Sequence, residues 1–238
     1  MGNDYSHILK EGLLPLYSEL TSKKYKNIDY FCLQWGKEYP KEKNKGILFI
    51  GRAVNGWIET TNDVNTLFGE TEQRIFNRDD QMEWVENEME KGTNSKVSKS
   101  FFWKVVKGTT QKVYNINGKG WSKKIAWSNL YKVSPHKGGN PTTRMINMQK
   151  EICKQITKKE IEVLSPQHIV LLTGLDWAQD ILPDLKETKA QQIKTWDNNK
   201  YIVSTYLHEG RNYIVSVHPE RKNIQSHINS LAELIKID

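Results

Sequence analysis

Cysteine is scarce in this chain of 238 residues: there are two, Cys32 and Cys153, far apart in sequence. A four-thiolate zinc or iron–sulfur centre is excluded, and the two read as reduced, partly buried thiols. Long hydrophobic runs are missing as well. No stretch approaches the roughly 18 to 20 consecutive apolar residues of a membrane-crossing helix. The first residues, MGNDYSHILKEG, lack the basic-then-apolar pattern of a secretory leader, so a cytoplasmic protein with no membrane partner is expected. Internal repeats and low-complexity tracts are absent too, which leaves an ordinary globular domain.

What the chain does have is positive charge. The net charge is +7, and the pI is near 9.2, a balance that suits a polyanionic partner such as nucleic acid. The lysines are scattered (Lys41, Lys43, Lys45; Lys96, Lys99, Lys104, Lys107; Lys119, Lys123, Lys124), with Phe101, Phe102, Trp103, Tyr114, Trp121 and Trp127 among them. Cations interleaved with aromatic faces can grip phosphates and stack bases. The same Phe101, Phe102 and Trp103 serve equally well as anchors of a core helix.

The hydrophobic pattern predicts one large α/β domain. Residues 5–22 read as a helix, followed by a connection that carries Tyr30, Phe31 and Trp35. Gly46 to Ile50 is a continuous apolar run closed by Gly51, the pattern of a central parallel strand. Residues 57–97 are polar, with few strand-like clusters. A helix is expected from Lys99 to about Val113 and a second sheet strand over Ile125–Val133. A long helix with Met145, Met148, Ile152 and Ile156 on one face runs to Ser165-Pro166. His168–Thr173 is a third buried strand, and Gly174 opens a short helix near Trp177. Extended segments are expected over 191–207. The chain closes with the strand Tyr213–Val217 and a helix showing Ile224, Ile228, Leu231 and Ile235 on one face. Strands alternating with helices imply a three-layer α/β/α sandwich around a mainly parallel sheet.

Three strand ends carry unusual polar residues. The first runs Gly51-Arg52-Ala53-Val54-Asn55-Gly56-Trp57, a glycine-bounded turn that lets backbone approach a ligand. It is not a phosphate-binding P-loop, since no Gly-Lys-Ser/Thr follows. The second gives Ser128-Asn129-Leu130-Tyr131-Lys132 and then Ser134-Pro135. The third is His218-Pro219-Glu220-Arg221, between a strand and a helix N-terminus. Open α/β sheets place their ligands at such carboxyl ends, where the helix dipole and unpaired N–H groups favour negative charge.

In their order along the chain these segments resemble the uracil-DNA glycosylase superfamily: ILFIGRAVNGW, then SNLYKVSPHKGGNP, then EICKQITKKEIEVLSPQHIVLLTG, then YIVSVHPER. The resemblance covers roughly residues 46–235, with a divergent insertion around 58–120 carrying little of it. It implies an enzyme that flips a base out of the duplex and hydrolyses its N-glycosidic bond, with no metal or organic cofactor. Carried over by position, His218 would donate to the departing base and Asn129 would read the base edge. The loop from Gly51 through Arg52 and Ala53 to Asn55 would hold the water and the deoxyribose, with Asn55 orienting the water. Phe68 resembles the aromatic on which the base stacks, and Lys137, Arg221 and Lys222 would meet DNA phosphates. The partner implied is damaged or uracil-containing DNA, bound by a monomer.

The chain departs from the family at two places. Ala53 and Val54 stand where an acid or amide is expected, and Asn55, an amide, cannot act as a general base. Some branches of the superfamily also lack this acid, and Asp63, Asp79 or Asp80 offers a carboxylate by another route. Glu220 replaces the serine usual after His-Pro, and a carboxylate there repels phosphate unless Arg221 or Lys222 neutralises it. The missing cluster cysteines argue against the iron–sulfur branches. Two alternatives therefore stand beside a glycosylase acting on uracil or another deaminated or damaged base: a nucleic-acid-binding relative without catalysis, and an enzyme acting on free nucleosides or nucleotides.

Overall fold

Four apolar residues in a row after Gly46 form the buried start of β3 (Ile47–Ala53), the strand around which the rest is laid. The computed structural model describes residues 4–23, 25–54, 67, 68, 80–92 and 95–237. Helix α1 (Asp4–Ser22) buries Leu9, Leu13, Tyr17 and Leu20, one stripe at helical spacing. Two short strands follow, β1 (Ile28–Tyr30) and β2 (Gln34–Trp35), where the sequence reads as a connection. Strands of three and two residues are too short to show a periodicity.

Beyond β3 come α2 (Glu83–Glu90), α3 (Lys96–Lys99) and α4 (Phe101–Val113). Then follow β4 (Ile125–Tyr131), β5 (Val133–Pro135), α5 (Thr143–Leu164), β6 (His168–Leu172), α6 (Leu175–Ile181) and α7 (Asp184–Glu187). The chain closes with β7 (Gln192–Trp196), β8 (Tyr201–His208), β9 (Arg211–Ser216) and α8 (Ile224–Ala232). The helix α2 lies in the stretch whose polar composition gave no sign of it. The single strand expected over 125–133 is two, because the chain turns at the buried Lys132 and β5 leaves to pair with β1.

Among the described residues seven strands form the main sheet, in the order β2-β4-β3-β6-β9-β8-β7. The four in the middle, β4-β3-β6-β9, are parallel. The flanks are not: β2 runs antiparallel to β4, β8 to β9 and β7 to β8. The sheet is therefore mixed, which corrects the expectation of a mainly parallel one. The reason is local. Only Glu209 and Gly210 join β8 to β9, both at positive φ (49° and 73°), the geometry of a tight hairpin that forces antiparallel pairing.

Helices cover both faces of this α/β fold. Ser128 of β4 donates from Oγ to Glu160 of α5 at 2.7 Å, whereas its neighbour Trp127 meets Trp103 of α4 with ring centroids 4.6 Å apart. Successive strand residues point to opposite faces, so α5 lies on one side and α4 on the other. Helix α1 packs along α5, and α8 along α4. The second pair approaches closely because Gly108 has no Cβ to block Ile228.

Candidate functional site

All four parallel strands run toward one edge, and the chain reverses its direction of winding at β3, with β4 on one side and β6 on the other. The crevice beside such a switch point is where open sheets bind ligands. Arg52, from the end of β3, lies across it. Its Nε donates to the Thr173 carbonyl at 2.8 Å, and the guanidinium sits 4.8 Å above the Trp177 ring. Pinned at both ends, the side chain keeps a fixed cation beside the turn into α6.

His218 stands two residues past β9, facing that cation. An open pocket of about 440 Å³ is lined by Arg52, Tyr201, Val217, His218, Arg221 and Lys222. Burial, with Arg52 adding to it and Glu220 opposing, lowers the imidazole pKa to about 4, so the ring is neutral at physiological pH. The Glu220 backbone N–H donates to Nδ1 at 3.4 Å, which leaves the ring proton on Nε2, free to be given to an acceptor. The turn that carries this contact is tight. Lys222 Nζ donates to the Glu220 carbonyl at 3.0 Å, and Arg221 takes a left-handed φ of 56°.

A second histidine backs the pocket. His227 of α8 is buried, stacks on Trp196 (centroids 4.4 Å apart, 19° between planes) and pairs Nε2 with Ser216 Oγ at 2.9 Å. Burial lowers its pKa to about 3, so it too is a neutral ring.

Asn129 is the other arm of the site. It is 2% exposed, and its Nδ2 has no hydrogen-bond partner among the described residues. Gly51 is its register partner on β3, and a Cβ at Gly51 would come to 2.5 Å from Asn129 Oδ1 and 3.4 Å from Phe102 Cε2. Gly51 is thus the residue whose lack of a side chain makes room for the amide. Beneath it, Lys132 Nζ donates to the Asn129 carbonyl at 2.6 Å, to Ser128 Oγ at 2.7 Å and to Glu160 Oε2 at 2.8 Å. Burial raises the Glu160 carboxyl pKa, and the Lys132 ammonium opposes that rise.

The structure brings Arg52, His218, Arg221 and Lys222 to one pocket, and Gly51 and Asn129 to one contact. Three inter-strand steps separate the Asn129 and His218 strands, about 14 Å of backbone. Ala53 ends β3 half-buried, paired with Tyr131. Phe68 is 2% exposed in the core, edge-on to Tyr17 of α1 at 5.1 Å, and does not line the pocket. Lys137 is exposed in the turn after β5 and does not line it either. Asp80 accepts the Met82 N–H at 3.1 Å and has its pKa raised by burial. Asn55, Asp63 and Asp79 lie outside the described residues.

Sequence reasoning missed Phe102 as a neighbour of Asn129, and it missed the Lys132–Glu160 pair. The second had a signal. Glu160 falls four residues after Ile156, on the same helix face, where an acid needs a buried partner. Among the described residues no group of three or more His, Cys, Asp or Glu side chains gathers as a metal site. No described helix is long and apolar enough to cross a membrane. No protein-family model matches the chain, and no curated protein matches it.

Proposed function

We propose that the protein is a DNA glycosylase of the uracil-DNA glycosylase type, built as a three-layer α/β/α sandwich and hydrolysing the bond between deoxyribose and a deaminated or damaged base. The observation that carries the reading is His218: a neutral imidazole beside Arg52, with its Nε2 proton available, in an open basic pocket at the carboxyl edge of the sheet. Cleavage breaks the C1′–N bond, and the electron pair leaves with the base. A neutral donor aimed at the base oxygen stabilises that anion without having to give up a full charge. Water supplies the oxygen that bonds to C1′, and its proton is released.

In this reading Asn129 meets the base edge from the opposite side. Its orphaned Nδ2 is a donor in want of an acceptor, such as a base carbonyl. Phe102, beside Gly51 and Asn129, supplies the apolar face against which the base lies. Arg221 and Lys222 meet the backbone phosphates, and the protein acts as a monomer. Glu220 favours a second reading, a DNA-binding relative without turnover, because among the described residues it is the one carboxylate lining the pocket and it sits beside the cations a phosphate needs.

Labelled oligonucleotides containing uracil, hypoxanthine, xanthine or a mismatch separate these readings. Strand breakage after alkali by the wild type, abolished by His218→Ala, is the expected result. Intact strands with every substrate, together with salt-sensitive DNA binding, leave the second reading in its place.

A further inference from the structure

A second cavity opens toward the opposite edge of the sheet. Leu182, placed ahead of Pro183, leaves the helical region (φ −115°, ψ 74°), so α6 stops there and α7 starts on a new line. Between that turn, the second half of α5 and the β8–β9 hairpin lies a cavity of about 290 Å³. Ile161, Ile181, Leu182, Leu185 and Tyr213 give it apolar walls. Arg211, which opens β9, lines it too, whereas His218 lies past the other end of that strand, about 20 Å away.

The charges around this cavity are sorted by depth. The Arg211 side chain is 15% exposed, and its Nε is buried with no hydrogen-bond partner among the described residues. The guanidinium meets Glu209 through Nη1 alone, at 3.4 Å, which leaves the edge formed by Nε and Nη2 unanswered among the described residues. Glu162, Asp184 and Glu209, the carboxylates in the lining, are 66%, 70% and 60% exposed and stand in water, where their charge is screened. Lys159 answers Glu162 at 3.3 Å, and His208 Nε2 lies 3.7 Å from Asp184. Of the lysines in the lining, Lys154 pairs with Glu151 at 2.7 Å, and Lys158 has no carboxylate partner among the described residues. Tyr213 shares Arg211's face of β9 and keeps its hydroxyl proton, because burial pushes its pKa up to about 12. An unpaired guanidinium edge of this kind costs free energy that a planar carboxylate, held by both N–H groups, offsets.

Size narrows the ligand. A dry cavity of about 150 Å³ holds a benzene ring, so one of 290 Å³ has room for about twelve non-hydrogen atoms. An inorganic anion leaves the apolar walls uncovered, and a plain hydrocarbon leaves the guanidinium unpaired. We propose that this cavity is a binding site for a small organic monocarboxylate, its carboxylate on the Arg211 guanidinium and its compact apolar body against Ile181, Leu182 and Leu185. The site is separate from the His218 pocket and stands whether or not the protein is a glycosylase.

A backbone-amide NMR titration with phenylpropionate at constant ionic strength tests it. Phenylpropanamide supplies the same body without the charge, and acetate the charge without the body. The expected result is saturable shifts centred on Leu182 and Arg211, with a dissociation constant in the millimolar range or tighter. The amide is expected to bind at least about tenfold more weakly, the scale of a hydrogen bond to a charged group. Arg211→Gln should weaken phenylpropionate by a similar factor and leave the amide as in the wild type. Leu182→Trp, which fills the cavity and keeps the charge, should abolish binding of both. Melting temperatures establish that each variant is folded, and Leu182→Trp decides by itself should Arg211→Gln not fold. Equal binding of acid and amide overturns the inference, as does acetate binding as tightly as phenylpropionate. So does a wild type without saturable shifts, or with shifts confined to the surroundings of Arg52 and His218.

Discussion

Lys132 and Glu160 form an ion pair with no exposed surface on either side chain, Nζ and Oε2 lying 2.8 Å apart beneath the strand end that presents Asn129. Removing one partner leaves the other charge buried and alone, so Lys132→Ala is expected to lose about 3–5 kcal/mol of stability. Replacing both, as Lys132→Met with Glu160→Leu, is expected to lose less, because only the Asn129 carbonyl and Ser128 hydroxyl are left wanting, at about 1–3 kcal/mol for such a group. Urea denaturation of the single and double variants measures the difference. A double variant less stable than Lys132→Ala contradicts the account.

Acid should weaken the fold through its two neutral histidines. His218 and His227 have folded pKa values of about 4 and about 3, below the ordinary histidine value of 6.5. Between those values the unfolded chain binds protons that the folded one does not, so stability rises with pH across the window and is lost as pH falls through it. The urea midpoint is expected to decline between pH 7 and pH 4, in step with this linkage. By NMR the His218 ring should stay neutral down to near pH 5, and Arg52→Gln should raise its pKa part of the way back, since burial is the larger cause. A His218 titrating near 6.5 in the wild type contradicts the assigned donor state.

Gly51→Ala places a methyl 2.5 Å from Asn129 Oδ1. The amide must move, and overpacking of this kind typically costs about 1–3 kcal/mol. The expected signature is a folded protein of reduced melting temperature that has lost more base discrimination than DNA affinity. The phosphate contacts proposed for Arg221 and Lys222 lie elsewhere, at the His218 pocket. Equal losses of discrimination and affinity run against this division.

The two phenylalanines should part in their effects. Phe68→Ala opens a cavity against Tyr17 in the core and should lose about 3–5 kcal/mol of stability. Phe102→Leu keeps most of the volume but removes the ring beside Gly51 and Asn129, so it should weaken binding of a free base or base analogue with little change in melting temperature. Calorimetry and a base-competition assay read the two quantities. A selective loss of base binding in Phe68→Leu instead returns the stacking role to Phe68.

How far the sequence reached is clear from particular elements. The parallel strands and the helices α4, α5 and α8 were legible because apolar runs and helical stripes are local signals, and so was the gathering of polar residues at strand ends. The mixed flanks were not: two-residue turns set strand direction, and Glu209-Gly210 reveals its hairpin only once both neighbours are known to be strands. Arg52 and His218 line one pocket because their strands flank β6, a fact of sheet order that no local spacing encodes. The same holds for Phe102, which reaches Gly51 and Asn129 across the helix–sheet interface.

Direct detection of the released base tests the central claim most simply. Uracil-containing single strand is mixed with excess protein at pH 7, and free uracil is quantified over time for the wild type, His218→Ala and Asn129→Ala. The account predicts base release by the wild type, with both variants slowed by at least about 100-fold, the ordinary scale for losing one transition-state donor. Release that is unaffected by His218→Ala, or strands that bind tightly and keep every base, would contradict it.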